Sequence, residues 1–178
     1  MVNGFAEGER AEAVVTLQSW LTAAGHGVDR LDLAEAGFDR FMSAEEREAY
    51  HGDQPLITPE TKAAARALLG ATAVVICYPV FHGTAPARVK SWQERVFVLG
   101  LAFRFKPSGK ITGALDHLAR TLVVGVANRP DPEAAKRNGF GPCLARSFFL
   151  SSNRVCRARY VGVTPDDLSG AISALGRW

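Results

Sequence analysis

The chain has 178 residues, 47% of them hydrophobic, and a formal net charge of +3 from 21 Lys+Arg against 18 Asp+Glu. That length suits one domain, 1–178, with a sizeable core, and the basic residues are spread along the chain, so no nucleic-acid partner is implied. No apolar run approaches the roughly 18 residues of a membrane span, and MVNGFAEGER lacks the charged-then-apolar pattern of a signal peptide, so a soluble, cytoplasmic protein with no membrane insertion is expected.

From Ala11 to Ala24, Val14, Leu17, Leu21 and Ala24 recur at helical spacing, and Gly25 ends the stripe. VDRLDL follows as a candidate strand. SAEE, from Ser43 to Glu46, has the pattern of a capping box and predicts a short polar helix over MSAEEREAY. Thr58 before Pro59 predicts a helix start, because a capping side chain precedes a proline whose missing N–H costs nothing in the first turn. That helix should run to about Gly70. Ala73 to Tyr78 is continuously apolar and bounded by Gly70 and Pro79, which suits a strand buried on both faces. Pro86 opens a helix whose inward face is Val89, Trp92, Val96 and Phe97. Thr121 to Ala127 repeats the buried-strand pattern. A helix through CLARSFFLSS, a strand at RARYVGV and a last helix from Thr164 and Pro165 complete the pattern.

Strands alternating with helices imply parallel strands joined by crossover helices, hence an α/β three-layer fold. Ligands of such sheets sit beyond the carboxyl ends of the strands, which selects the loops 79–86 and 127–141. The first offers backbone N–H groups from Val80 to Thr84, an aromatic in Phe81, an imidazole in His82 and close approach at Gly83. A flat, hydrogen-bonding heterocycle fits there. Pro79 is expected to stop the strand, so that these N–H groups need partners outside the sheet. The cysteines Cys77, Cys143 and Cys156 form no CxxC pair, and Cys77 lies in an apolar run, as an inert buried thiol would. The scattered His26, His51 and His117 read as surface residues, so no metal site is expected.

The run YPVFHGTAPARVKSWQERVFVLGLAF resembles the flavin-loop signature of the NAD(P)H quinone oxidoreductase family of flavodoxin-like proteins. It supplies Tyr78, Pro79, Pro86, Ala87, Lys90, Trp92, Glu94, Arg95, Val96, Phe97, Gly100, Ala102 and Phe103. GFDRFMSAEEREAY is similar to that family's segment after the second strand. The likeness is strongest from about Gly25 to Phe105 and weak after Thr121. It implies a flavodoxin-like three-layer sandwich with a parallel sheet in the order 2-1-3-4-5. It also implies a homodimer that binds FMN, with FAD as the other option, and passes a hydride from NAD(P)H through flavin N5 to a quinone or another small conjugated acceptor. By this resemblance Pro79, Val80, Phe81, His82, Gly83 and Thr84 lie along the isoalloxazine edge, and Ala127, Asn128 and Arg129 form the second cofactor-binding turn.

Three departures from the family pattern stand out. Asn3 falls near the histidine of the family's phosphate loop and Gly8 where its serine belongs, so the first strand is expected to be missing, through a late-assigned start or a truncated chain. Asn3, Gly4 and Gly8 nonetheless precede a helix N-terminus, where anions bind. Ala127, Asn128, Arg129 and Pro130 replace a Thr-Thr-Gly-Gly turn, and Arg129 is a candidate partner for the flavin's pyrimidine end or a phosphate. The tyrosine and histidine of some quinone reductases fall near Ala135 and Gly141, so their roles do not carry over. An aromatic pair is replaced around His82 and Gly83, which leaves a roomier pocket. His82 is then the catalytic candidate by type, since imidazole donates protons near neutral pH; otherwise it is a solvated loop histidine. The rival reading is a flavin-poor relative acting as a binding or regulatory subunit, which the departures favour and the intact Pro79 to Phe103 signature opposes. A flavodoxin electron carrier fits less well, since such carriers are strongly acidic.

Overall fold

A computed structural model describes residues 1–6, 11–50, 54–127 and 139–178. Five parallel strands form the central sheet: β1 (Val2–Asn3), β2 (Leu31–Asp32), β3 (Ala73–Pro79), β6 (Arg120–Val126) and β7 (Arg157–Val163), in the order β2-β1-β3-β6-β7. With the separate hairpin β4 (Phe103–Phe105) and β5 (Ile111–Gly113) set aside, this is the expected 2-1-3-4-5 order. The first strand, expected to be missing, is present as the two-residue β1. Val2 pairs with Leu31 on one side and Ile76 on the other, and Asn3 with Asp32 and Cys77. Two residues suffice to hold β2 and β3 on either side of a central strand at the carboxyl end of the sheet.

Six helices flank the sheet among the described residues: α1 (Glu12–Ala23), α2 (Ala44–Tyr50), α3 (Pro59–Gly70), α4 (Ala87–Val96), α5 (Phe140–Ser151) and α6 (Ser169–Leu175). Strand alternation sorts the core into two layers. Val74, Ile76 and Tyr78 of β3 and Val123 of β6 face α3, α4 and α5, where Leu68, Val89, Trp92, Leu144 and Phe148 are buried. Val75 and Cys77 of β3 with Leu122, Val124 and Val126 of β6 face α1 and α6, against Val14, Leu17, Leu21, Ala171 and Leu175.

Local chemistry explains most boundaries. Gly25, at φ 89°, follows α1 where only a residue at ease with positive φ continues the chain. The capping box forms: the Glu46 N–H donates to Ser43 Oγ (3.1 Å) and the Ser43 N–H to Glu46 Oε2 (2.8 Å). The Thr61 N–H donates to Thr58 Oγ1 at 3.4 Å. The last helix departs from expectation. Instead of starting at Thr164 and Pro165 it starts at Ser169, because residues 164–167 close a turn (Asp167 N–H to Thr164 O, 3.2 Å) and Asp167 Oδ1 accepts from the Ser169 N–H (2.9 Å). The VDRLDL strand shortens to Leu31–Asp32, the length its partner β1 can pair.

Candidate functional site

The carboxyl ends of β1, β3 and β6 meet in one place. Gly4 donates to Cys77 O at 2.8 Å as the chain leaves β1. A Cβ at Gly4 would stand 2.6 Å from Val89 Cγ2 and 2.7 Å from Tyr78 Cβ, so only glycine lets the backbone pass this close to α4. Asn3, buried, accepts from the Phe5 N–H on Oδ1 (3.0 Å) and donates through Nδ2 to Asp32 Oδ1. Asp32 also receives Arg30 Nη2 at 2.6 Å and Nε at 2.9 Å. Burial pushes the Asp32 carboxyl up, but hydrogen bonds from Arg30 and Asn3 and the guanidinium charge hold it below the usual range. The mouth of the β1 and β2 ends is thereby pinned.

The 79–86 loop corrects the expectation about its N–H groups. Pro79 pairs with Val126 as the last residue of β3, and the Val80 N–H still reaches Val126 O at 2.8 Å, because proline removes its own donor and leaves the next residue's free. Phe81 and Thr84 exchange both backbone bonds at 2.9 Å, with His82 at φ 49° and Gly83 at φ 76°. Positive φ at both central residues is the signature of a type I′ turn. Of the run Val80 to Thr84, His82 and Gly83 therefore carry the N–H groups without a backbone partner among the described residues. Phe81 stands 50% exposed beside them. His82 projects from the exposed tip.

Ala127 continues past β6 by donating to Val163 O at 2.9 Å. Asn128, Arg129, Pro130 and Ala135, like Gly8 and His51, lie outside the described residues. Cys77 is buried, and burial pushes its thiol up to about 12, which makes it inert at neutral pH. His26 and His117 are exposed.

Tyr78 and Tyr160 were not singled out as ligand groups by sequence reasoning. A Cβ at Gly125 would lie 2.6 Å from Tyr160 Oη and 2.9 Å from Val80 Cγ2; one at Gly141 would lie 2.1 Å from two Tyr160 ring carbons and 2.8 Å from Tyr78 Oη. The two phenols thus converge on glycines of β6 and α5, at the carboxyl end of the sheet. The glycine inside the apolar TLVVGVA run was the available signal, since glycine within a buried strand marks a close approach. A cavity of about 320 Å³ lies at the opposite end, lined by Leu21, His26, Leu68, Trp92 and Trp178 among others, where β1 contributes only two residues between β2 and β3.

This strand order, with loops gathered at the carboxyl ends, defines a flavodoxin-like protein. The family described by the flavodoxin-like fold matches residues 5–164, and the chain belongs to it. It is 29% identical over 156 residues to FMN-dependent NADH:quinone oxidoreductase 1 of Pseudomonas putida, covering 86% of this chain and 67% of that protein. Among solved structures it is similar to the NAD(P)H:quinone oxidoreductase from Methanothermobacter marburgensis, with a TM-score of 0.74 at 18% identity over 99% of this chain and 92% of that one. It is also similar to an FMN-dependent NADH-azoreductase from Bacillus anthracis in complex with FMN, with a TM-score of 0.63 at 14% identity over 97% and 90%.

Proposed function

We propose that this chain is an FMN-dependent oxidoreductase that takes electrons from NAD(P)H and reduces a quinone or a similar conjugated acceptor. The observation that carries the reading is the type I′ turn at 81–84, which holds two backbone N–H groups without a backbone partner among the described residues and an exposed aromatic ring at the carboxyl end of β3. Such a rim suits the hydrogen-bond-accepting edge of a flat heterocycle and would stabilise negative charge on it. The relatives are named as FMN-dependent quinone and azo reductases, which supports the same cofactor here.

FMN bound there would accept a hydride at N5 and hand two electrons on, the chemistry being the cofactor's own. The balance is NAD(P)H plus a proton plus quinone, giving NAD(P)⁺ and hydroquinone. Pro79 to Thr84 would line the ring, with the His82 and Gly83 N–H groups at its edge; Ala127, Asn128 and Arg129 would form the opposite turn. The exposed His82 imidazole is the candidate proton donor. The pinned Asn3 and Asp32 would keep the floor of the site fixed, and Gly4 lets α4 close over it. The same reading makes the protein a homodimer at work in the cytoplasm, and the buried free thiols Cys77 and Cys156 suit a reducing compartment. The described residues contain no helix long and apolar enough to cross a membrane.

The test is the visible absorption spectrum of the purified protein after incubation with FMN. A flavin spectrum that bleaches on addition of NAD(P)H and recovers with quinone supports the reading. Colourless protein that does not quench FMN fluorescence would overturn it and favour a flavin-free binding subunit.

A further inference from the structure

β2 and β3 lie on either side of β1, two strand spacings or about 10 Å apart, and β1 fills the lane between them only at Val2 and Asn3. Toward the amino end of the sheet the lane opens into the cavity of about 320 Å³. Both edges of that opening are backbone. Even-numbered residues of β3 and its flanks serve β6: Thr72 O accepts from the Ala119 N–H at 2.9 Å and the Val80 N–H donates to Val126 O, whereas Cys77 O accepts from Gly4 of the β1 segment. Strand alternation therefore turns the N–H and C=O of Ala73 and the N–H of Val75 into the lane. Across from them, the Leu31 N–H donates to Met1 O at 2.8 Å and the Met1 ammonium to Asp29 O, which turns the Asp29 N–H the same way. None of these groups has a backbone partner among the described residues.

The lane is apolar above and below. Leu68, Val74 and Trp92 wall it on the α3 and α4 side, and Leu21, Val75 and Trp178 on the α1 and α6 side, so an occupant buried on both faces must be apolar at every position, as a central parallel strand is. A small apolar molecule would fill the volume and leave the edge groups unmet. An extended backbone at ladder spacing meets both edges at once. At the inner end stands the half-buried Met1 ammonium, whose pKa burial lowers against the opposing charge of Asp29. A strand running parallel to β3 arrives there with its carboxyl end, where a terminal carboxylate would compensate the ammonium and accept from the Val75 N–H.

We infer that the gap between β2 and β3 is a docking lane for an extended, apolar peptide segment of a partner, ending in a free carboxylate, which lies parallel to β3 and abuts Met1. This is strand addition inside a sheet instead of at its edge. Since Val2 stands opposite Ile76, the lane offers the length of residues 72–74, which at 3.3 Å per residue is about 10 Å, enough for three residues. It lies at the end of the sheet opposite the candidate flavin site, so the inference stands apart from the oxidoreductase reading.

The experiment uses the untagged 178-residue chain with Met1 confirmed by mass, and four probes: the peptide acetyl-Lys-Lys-Val-Val-Val with a free carboxylate, the same peptide as its carboxyl-terminal amide, an analogue with proline at the middle valine, and hexanoate. Calorimetry reads affinity and amide hydrogen exchange reads the place of binding. The free-acid peptide should bind one per chain and slow exchange at Ala73, Val75 and Asp29. The amide should bind about tenfold more weakly, since it lacks the charge that meets Met1, and the proline analogue should not bind, because it lacks a ladder donor. No binding of the free-acid peptide, equal binding of the proline analogue, or protection confined to other amides would overturn the lane. Hexanoate binding as tightly as the peptide would overturn it too and make the cavity a pocket for a small apolar acid.

Discussion

Arg95 of α4 and Glu46 of α2 form a buried ion pair, Nε to Oε1 at 2.8 Å, with side chains 1% and 6% exposed. The two arginine Nη groups are also engaged: Nη1 donates to Gly37 O at 3.3 Å, and Nη2 to Thr58 Oγ1 at 2.9 Å and Glu60 Oε1 at 3.2 Å. The guanidinium carbon lies 5.2 Å from the Phe38 ring centroid. Glu46, through its other oxygen, caps its own helix. One arginine thus ties the segment between β2 and α3 to the helix that follows the candidate flavin loop.

Removing one member of a buried, hydrogen-bonded pair leaves the other charge without compensation. Arg95→Met is expected to cost about 3 to 5 kcal/mol, because Glu46, Glu60 and the Gly37 carbonyl lose their donor together. Glu46→Gln should cost less, since the amide still accepts from Arg95. Urea denaturation of the variants measures both, and a cost for Arg95→Met below that of Glu46→Gln would contradict the arrangement.

Glu60, with its side chain 19% exposed, gives this network a pH signature. The backbone N–H of Glu60 itself, set against partial burial and joined by Arg40, Arg95 and Thr58, holds its carboxyl down to about 2 from 4.5. A carboxyl with a depressed folded pKa contributes stability that is present above 4.5 and is lost as pH falls toward 2. Wild type should therefore exceed Glu60→Gln in stability at neutral pH, and the gap should close across that window. Unfolding free energies at pH 7, 4 and 2.5 decide it; a gap that persists at the lowest pH would remove the ion pairs as its source.

Much of this was legible in the sequence because the signals were local. Thr58 before Pro59 and the SAEE box state their own hydrogen bonds, and the continuous apolar runs around Val75 and Val123 mark strands covered on both faces. Arg95 was not legible as a buried hub: its partners lie 35 to 58 residues away, and a helical arginine between Glu94 and Val96 reads equally well as a solvated side chain. The β4–β5 hairpin escaped for the same reason. Phe103 to Gly113 is held by Asn153, whose Oδ1 accepts from the Gly113 N–H at 3.0 Å and whose Nδ2 donates to Gly113 O at 3.1 Å, contacts 40 residues away that no short pattern encodes. At the site, the turn residues His82 and Gly83 were visible, but which N–H groups stay free depends on Val126 and Thr84, and that is settled only by the fold.

The turn itself yields a test of backbone against side chain. His82→Ala keeps the N–H and can occupy positive φ at a cost of roughly 1 kcal/mol that histidine already bears, so FMN affinity should be unchanged. His82→Pro removes the N–H and cannot adopt φ 49°, so FMN affinity should fall sharply. Fluorescence quenching reads both. Loss of binding in His82→Ala would assign the contact to the imidazole instead.

Gly141 and Tyr160 give a prediction whose sign runs against helix propensity. Gly141 lies in the first turn of α5, where alanine would ordinarily gain up to about 1 kcal/mol over glycine. Here the added methyl would meet Tyr160 ring carbons at 2.1 Å, and the ring cannot retreat without leaving the gap beside Gly125. Gly141→Ala should therefore destabilise the protein by about 1 to 3 kcal/mol, as overpacking does. In a Tyr160→Ala background the clash is gone and the same substitution should become stabilising. A double-mutant cycle on unfolding free energy measures the coupling. A stabilising Gly141→Ala in the wild-type background would show that Tyr160 does not occupy the space the two glycines leave.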